Sequence, residues 1–210
     1  MTAWKAGVLR ALLALAAACG WQAALAQDYP ARPVRIIVPF GPGSGSDVMA
    51  RLFADELQKA LGGTFIVENR AGASGIIAAE AVAKSTADGY TLLMTSNTTH
   101  SANPGLFKSL PYDPVKDFAP GVPTLRETIL PDLRTAYWGG MFAPAGTNRE
   151  ILARLHAALN KTLARPDTVE RLSGLGAVPR PVSLEEFGTF VREQVEIWGK
   201  SIREAGIERQ

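Results

Sequence analysis

Val34-Arg35-Ile36-Ile37-Val38-Pro39-Phe40-Gly41-Pro42-Gly43-Ser44-Gly45-Ser46-Asp47 is the stretch that decides the fold class. A short β-branched run held between Pro33 and Pro39 reads as a buried strand. A glycine-rich loop follows it. Val48, Leu52, Phe53, Leu57 and Leu61 then recur at helical spacing until Gly62-Gly63 stops the helix. The same order repeats downstream. Thr64–Val67 is a second strand, Asn69–Gly75 a second small-residue loop, and Ile76–Lys84 an alanine-rich helix. Asp88-Gly89 makes a turn into a third strand, Tyr90–Met94, which ends in the polar run Ser96-Asn97-Thr98-Thr99-His100. Repeated strand, loop and helix predict an α/β fold, a parallel sheet flanked by helices.

Towards the C-terminus the pattern loosens and then returns. Residues 101–135 are proline-rich with little periodicity and read as connection and short turns. Tyr137–Ala143 is a fourth strand candidate. Thr147-Asn148-Arg149-Glu150 reads as a capping box, opening a helix with Ile151, Leu152, Leu155, Leu159 and Leu163 on one stripe. Asp167–Leu172 is a short helix. Ser183-Leu184-Glu185-Glu186 is a second capping box. Leu184, Phe187, Val191, Val195, Trp198 and Ile202 form the apolar face of the helix that follows. Such stripes read as core, not as cofactor contacts.

Towards the N-terminus, residues 1–26 read as an export signal. Lys5 and Arg10 make a positive start, Leu9 and Ala11–Cys19 an apolar stretch, and Ala24-Leu25-Ala26 the small residues of a cleavage site before Gln27. The apolar run is broken by Gly20 and Gln22, short of the roughly 20 residues a membrane span needs. Ala16-Ala17-Ala18-Cys19 lacks the leucine three positions before the cysteine that a lipoprotein signal uses. Cys19 is the sole cysteine, so a cleaved chain has neither disulfides nor thiolate chemistry. Of the 22 Lys and Arg, two lie in the leader, which leaves 20 against 20 Asp and Glu. That balance gives no electrostatic case for nucleic acid. His100 and His156 show no ligand spacing, so neither a metal nor a cofactor is expected.

The two small-residue loops carry the chemistry. Each joins a strand end to a helix start, where backbone amides are unpaired and the helix dipole is positive. Side by side at the carboxyl edge of a parallel sheet, they make a crevice suited to phosphates or carboxylates. Tight turns needed only for packing are the other reading of the same residues. Enzyme motifs fail in detail. No lysine follows Gly45 as a nucleotide phosphate loop requires. Val48 stands where a dinucleotide fingerprint needs glycine, and Ile76 where a hydrolase elbow does. Asp47 reads as a helix-start carboxylate bonding local amides.

Taken in order, several motifs resemble one family. Tyr29-Pro30-Ala31-Arg32-Pro33-Val34-Arg35-Ile36-Ile37-Val38-Pro39-Phe40, with the glycine loop and Asp47, looks like the opening of the Bug family. These are the periplasmic substrate-binding proteins of tripartite tricarboxylate transporters. Val67-Glu68-Asn69-Arg70-Ala71-Gly72-Ala73-Ser74-Gly75 resembles the family's second loop. Asp88-Gly89-Tyr90-Thr91-Leu92-Leu93, Leu110-Pro111-Tyr112-Asp113-Pro114-Val115-Lys116-Asp117-Phe118 and Phe142-Ala143-Pro144-Ala145-Gly146-Thr147 match further segments. The resemblance implies a Venus-flytrap fold of periplasmic binding protein type, with a small carboxylate held between two lobes. It also implies periplasmic localisation, transporter membrane subunits as partners, and no enzymatic activity. Carried over by position, ligand contacts fall on Phe40, Gly43, Ser44, Gly45, Ser46 and Asp47. Further contacts fall on Ala73, Ser74, Gly75, Asn97, Thr98 and His100. Ser44 stands where glycine is common in the family.

The departure from the family is internal. Asp117-Phe118-Ala119-Pro120 runs directly into Gly121-Val122-Pro123-Thr124, where the resemblance implies a whole second lobe between them, roughly a hundred residues. The expected organisation is therefore a leader (1–26), lobe one in two parts (27–118 and 134–210), and a bridge (119–133) in place of most of the second lobe. An exposed former interface is expected around Tyr137 and Trp138. The functional expectation is a small-carboxylate receptor impaired by the deletion. A single-lobe interaction module, a non-functional remnant and a small α/β hydrolase are the alternatives.

Overall fold

The computed structural model describes residues 29–120, 125–127, 137–174 and 177–210. The leader and its cleavage site, and residues 121–124 and 128–133 of the expected bridge, lie outside the described residues.

Strands β1 (Val34–Val38), β2 (Phe65–Asn69) and β3 (Thr91–Ser96) lie parallel in the order β2-β1-β3. Val34 faces Phe65, and Ile36 faces both Val67 and Leu92. In β1, Val34, Ile36 and Val38 meet one hydrophobic cluster while Ile37 meets the other. Burial on both faces explains why Ile36, Ile37 and Val38 are apolar without alternation. The glycines and Ser44 release the chain from β1 into helix α1 (Gly45–Leu61), and Gly72–Gly75 releases it from β2 into α2 (Ile76–Ala83).

Beyond β3 the sequence reading needs correcting. Residues 98–102 form a single π-helical turn, followed by the short helix α3 (Asn103–Leu106). The proline-rich segment also contains strands β4 (Phe118–Pro120) and β5 (Leu125–Glu127). Both pair antiparallel with β6 (Tyr137–Pro144), which itself runs antiparallel to β3. The sheet is thus mixed. A three-residue strand shows no legible period, and proline can sit at a strand end, which is why β4 and β5 escape a periodicity argument. The two-residue strand β7 (Val178–Pro179) completes the sheet beside β5.

Helices cover both faces. On one, α1 packs against α4 (Arg149–Leu163) over Met49, Phe53, Leu57, Leu155, Leu159 and Met141, with α5 (Pro166–Gly174) closing the end. On the other, α2 and α6 (Leu184–Glu204) cover Ile37, Leu93, Trp138 and Phe142. Phe142 and Met141 point to opposite faces of β6, following the two-residue period of a strand. Trp138 is fully buried against Phe187 and Phe190. This corrects the expectation of an exposed interface at that residue: α6 has an aromatic stripe that needs a partner, and the indole supplies it.

Both C-terminal helices are capped by side chains. Ser183 and Glu186 form the full reciprocal box before α6. At α4 the cap is Asn148, whose side chain accepts from the Glu150 amide. Thr147 instead donates to the Pro144 carbonyl. Two consecutive cap-competent residues, Thr147 and Asn148, leave the start ambiguous by one position in sequence.

Candidate functional site

Three loops meet at the carboxyl edge of the parallel strands: Pro39–Ser44 after β1, Arg70–Gly75 after β2 and Asn97–Ala102 after β3. The first is organised by Ser44 and Asp47. Ser44 caps α1, and its hydroxyl accepts from the Asp47 amide at 3.3 Å. Asp47, in the first turn, accepts from the Gly43 amide at 2.9 Å. Its carboxylate also takes two bonds from Arg51, at 3.0 and 3.1 Å, and one from Asn69 at 2.9 Å. Asn69 donates in addition to the Phe40 carbonyl, also at 2.9 Å, tying the end of β2 to the first loop.

Burial pushes the Asp47 carboxyl up. The bonds from Arg51, Gly43 and Asn69 outweigh that and hold it below the usual aspartate range. Because its acceptors are spent within the protein, Asp47 shapes the loop. The amides of that first turn not taken up by these bonds are those of Gly45 and Ser46, among the described residues. The Ser46 hydroxyl is buried beside them without a partner.

The second loop is strained. Ala73 (φ 45°) and Ser74 (φ 53°) are left-handed, flanked by Gly72 (φ 135°) and Gly75 (φ 82°). Such conformations are disfavoured for residues with a Cβ and concentrate at functional sites. Ala73 and Ser74 are exposed, whereas Gly75 is buried. A Cβ on Gly75 would stand 2.7 Å from the Thr99 methyl and 3.0 Å from Pro39 Cβ, so all three loops touch there. Gly75→Ala is expected to lower stability by about 2 kcal/mol, combining a left-handed alanine with a clash. Urea denaturation measures it, and a neutral substitution would mean that the loops are not in contact.

The third loop is largely buried. Asn97 is buried with its side-chain carbonyl unpartnered, and Thr98 is half-buried, bonding locally to Ser96. His100 is fully buried: it stacks on Phe142 with ring centroids 4.0 Å apart, and its Nδ1 pairs with the Thr99 hydroxyl at 2.9 Å. Phe40, Gly43, Ser44, Gly45, Ser46, Ala73, Ser74, Gly75, Asn97 and Thr98 thus gather around one edge. His100 lies in the core beneath it, so it supports the third loop from below. Arg51, Asn69, Asn103 and Tyr112 also hold these loops. Arg51 was legible as the i+4 partner of Asp47; the other three carry no local signal.

Parallel strands ending in small-residue loops, each feeding a helix start, define a lobe of the periplasmic binding protein class. Solved structures bear out that fold. One is the periplasmic binding protein BugD (TM-score 0.77, 23% identity), aligned over 87% of this chain and 100% of that one. Another is an R. palustris protein solved with adipate (TM-score 0.80, 21% identity), aligned over 87% and 100%. The profile described as tripartite tricarboxylate transporter family receptor matches residues 49–120 and 118–207, and the chain belongs to that family. Its members are substrate-binding receptors and not enzymes. BugT of Bordetella pertussis is 51% identical over 96 residues, 45% of this chain but 29% of that protein's length. A relative encoded in the tcbD–tcbE intergenic region of Pseudomonas sp. (strain P51) is 23% identical over 293 residues, 84% of this chain and 87% of the relative.

The last alignment is longer than this chain's share of it. A share of 84% of 210 residues is about 176, so about 117 of the 293 aligned positions face nothing in this chain, roughly one small domain. The alignment spans most of both proteins, so the gap is internal. The family match is itself divided, at residues 118–120.

Proposed function

We propose that this chain is a periplasmic single-lobe receptor that recognises a small carboxylate weakly. In this reading residues 27–118 and 134–210 make up lobe one, and 119–133 replaces most of the second lobe. The leader of residues 1–26 directs export, and the transporter's membrane subunits are the protein partners. No described helix is long and apolar enough to cross a membrane.

The supporting observation is the first turn of α1. The Gly45 and Ser46 amides, without acceptors among the described residues, lie in the first turn at the positive end of a 17-residue helix, with the buried, unpartnered Ser46 hydroxyl in the same turn. An anionic carboxylate is the ligand that such amides and the helix dipole favour. The strained second loop beside it brings further backbone within reach. The R. palustris relative of similar fold is solved with adipate, a dicarboxylate, which favours carboxylate over phosphate as the ligand class.

A cleft between two lobes encloses its ligand and excludes water. With one lobe, each amide contact competes with solvent and contributes only about 0.5–1.5 kcal/mol. Losing three contacts at about 1.4 kcal/mol each weakens binding about a thousandfold, into the millimolar range. The expected result is a cooperative melt of the purified chain. A dicarboxylate at ten times a millimolar Kd adds about 1.4 kcal/mol and raises the midpoint by about 3–5 °C. Micromolar binding by calorimetry would overturn the loss of affinity. A midpoint that no di- or tricarboxylate moves would overturn solute binding.

A further inference from the structure

We propose that Asn103 is a positioning residue for the carboxylate crevice, holding the second loop in its strained conformation through a bond to the Ser74 carbonyl. The proposal deepens the receptor reading and rests on it for the ligand-binding consequence alone.

Asn103 opens helix α3, immediately after the π-helical turn of the third loop. It is fully buried, and its side-chain amide donates to the Ser74 carbonyl at 3.0 Å. Ser74 and Ala73 are the two non-glycine left-handed residues among those described. Their conformation is intrinsically unfavourable, so something outside the loop must select it. The loop's own bond, from the Gly75 amide to the Gly72 carbonyl at 2.9 Å, closes a turn but does not fix its orientation against the sheet. Asn103 does so from a rigid element 29 residues away in sequence.

The anchor is itself held. The Tyr112 hydroxyl donates to the Thr99 carbonyl at 2.8 Å and lies 3.5 Å from the Asn103 amide. One turn of chain, from Thr99 to Asn103, therefore carries the contact of Thr99 with Gly75 at one end and the bond to Ser74 at the other. The second loop is gripped at two successive residues by the third. A ligand bound by backbone amides needs those amides fixed before it arrives, because ordering them on binding subtracts from affinity.

Amide hydrogen exchange in the ligand-free chain tests this. Asn103→Ala removes the donor. Asn103→Asp keeps the shape but puts an acceptor opposite the Ser74 carbonyl. Both are expected to speed exchange at Gly75 and Ile76, whose amides are bonded within the turn, at least tenfold, with Ile36 in β1 and Leu93 in β3 changed less than twofold. Tyr112→Phe, which removes the bond to Thr99 but keeps the one from Asn103 to Ser74, is expected to speed exchange at Gly75 and Ile76 by less than either Asn103 variant does. Unchanged rates at Gly75 and Ile76, or an equal rise in β1 and β3, would overturn the proposal, the latter because it would mark Asn103 as a general stabiliser. Should Asn103→Ala fail to fold, the near-isosteric Asn103→Asp carries the comparison. Malate is the ligand probe: its apparent Kd is expected to rise about tenfold in both Asn103 variants. If the native chain binds no malate or other di- or tricarboxylate, the receptor reading fails, while the exchange rates still decide the role of Asn103.

Discussion

Trp138→Ala is expected to destabilise the chain by about 3–5 kcal/mol, lowering its melting midpoint by roughly 6–20 °C. Trp138 is fully buried on β6, among Phe142, Phe187 and Phe190 at centroid separations of 6.3, 6.3 and 5.5 Å, with His100 at 6.5 Å. Removing the indole leaves a cavity that the sheet on one side and α6 on the other cannot close. Trp138→Phe is the informative control. It retains an aromatic face and removes an indole N–H that is buried without a partner, so it should cost about 1 kcal/mol or less. Urea or thermal unfolding of both variants measures the difference. If Trp138→Ala costs under 1 kcal/mol, α6 is not packed on this face and the lobe does not hold its second layer.

The aromatic layer also bears on how the proposed single lobe would hold together, with residues 119–133 in place of most of the second lobe in that proposal. Both helical layers are drawn from segments on either side of the gap. Helix α1 precedes it and packs on α4, which follows it. Strand β3 precedes it and pairs with β6, which follows it. The retained segments supply each other's hydrophobic partners, and a domain insertion joined at neighbouring points can be absent without unpairing them.

How much of this was legible depended on the range of the interaction. The β1 run, the loop through Asp47 and the α1 stripe are local patterns, and they gave the α/β class and the first loop of the site directly. So did the reciprocal box at Ser183 and Glu186. Strands β4 and β5 were not legible, because each is three residues long and is defined by pairing with distant strands, β4 with β6 and β5 with β6 and β7. The third loop was legible as polar but not as buried. Ser96, Asn97, Thr99 and His100 read only as part of a polar run after the third strand, yet all are buried, as are Thr95 and Ser101, with Thr95 and Thr99 bonded to each other at 2.6 Å. Asn69 and Asn103 were missed as loop anchors because their partners, Phe40 and Ser74, each lie 29 residues away. The placement of Trp138 was misjudged for the same reason, since its neighbours sit on a helix some fifty residues later.

Between pH 7 and pH 5 the native chain is expected to lose about 2 kcal/mol of stability through His100 alone. Burial without a charged partner depresses this imidazole from 6.5 to about 3. The folded chain therefore keeps His100 neutral across that window, while the unfolded chain takes up a proton below about 6.5. The unfolded state binds more protons, so stability is fully present above 6.5 and falls as pH drops towards 3, by about 5 kcal/mol over the full span. Asp47, Glu68 and Asp113 are depressed carboxylates. Their contribution is lost at lower pH, as they protonate below the ordinary carboxylate range. His100→Phe isolates the histidine: it keeps the stack on Phe142 and carries no proton. Unfolding free energies at pH 7 and pH 5 should fall further in the native chain than in the variant, by about 2 kcal/mol. Equal losses in the two would mean that the imidazole reaches water when folded, and that the third loop is not seated on the aromatic layer.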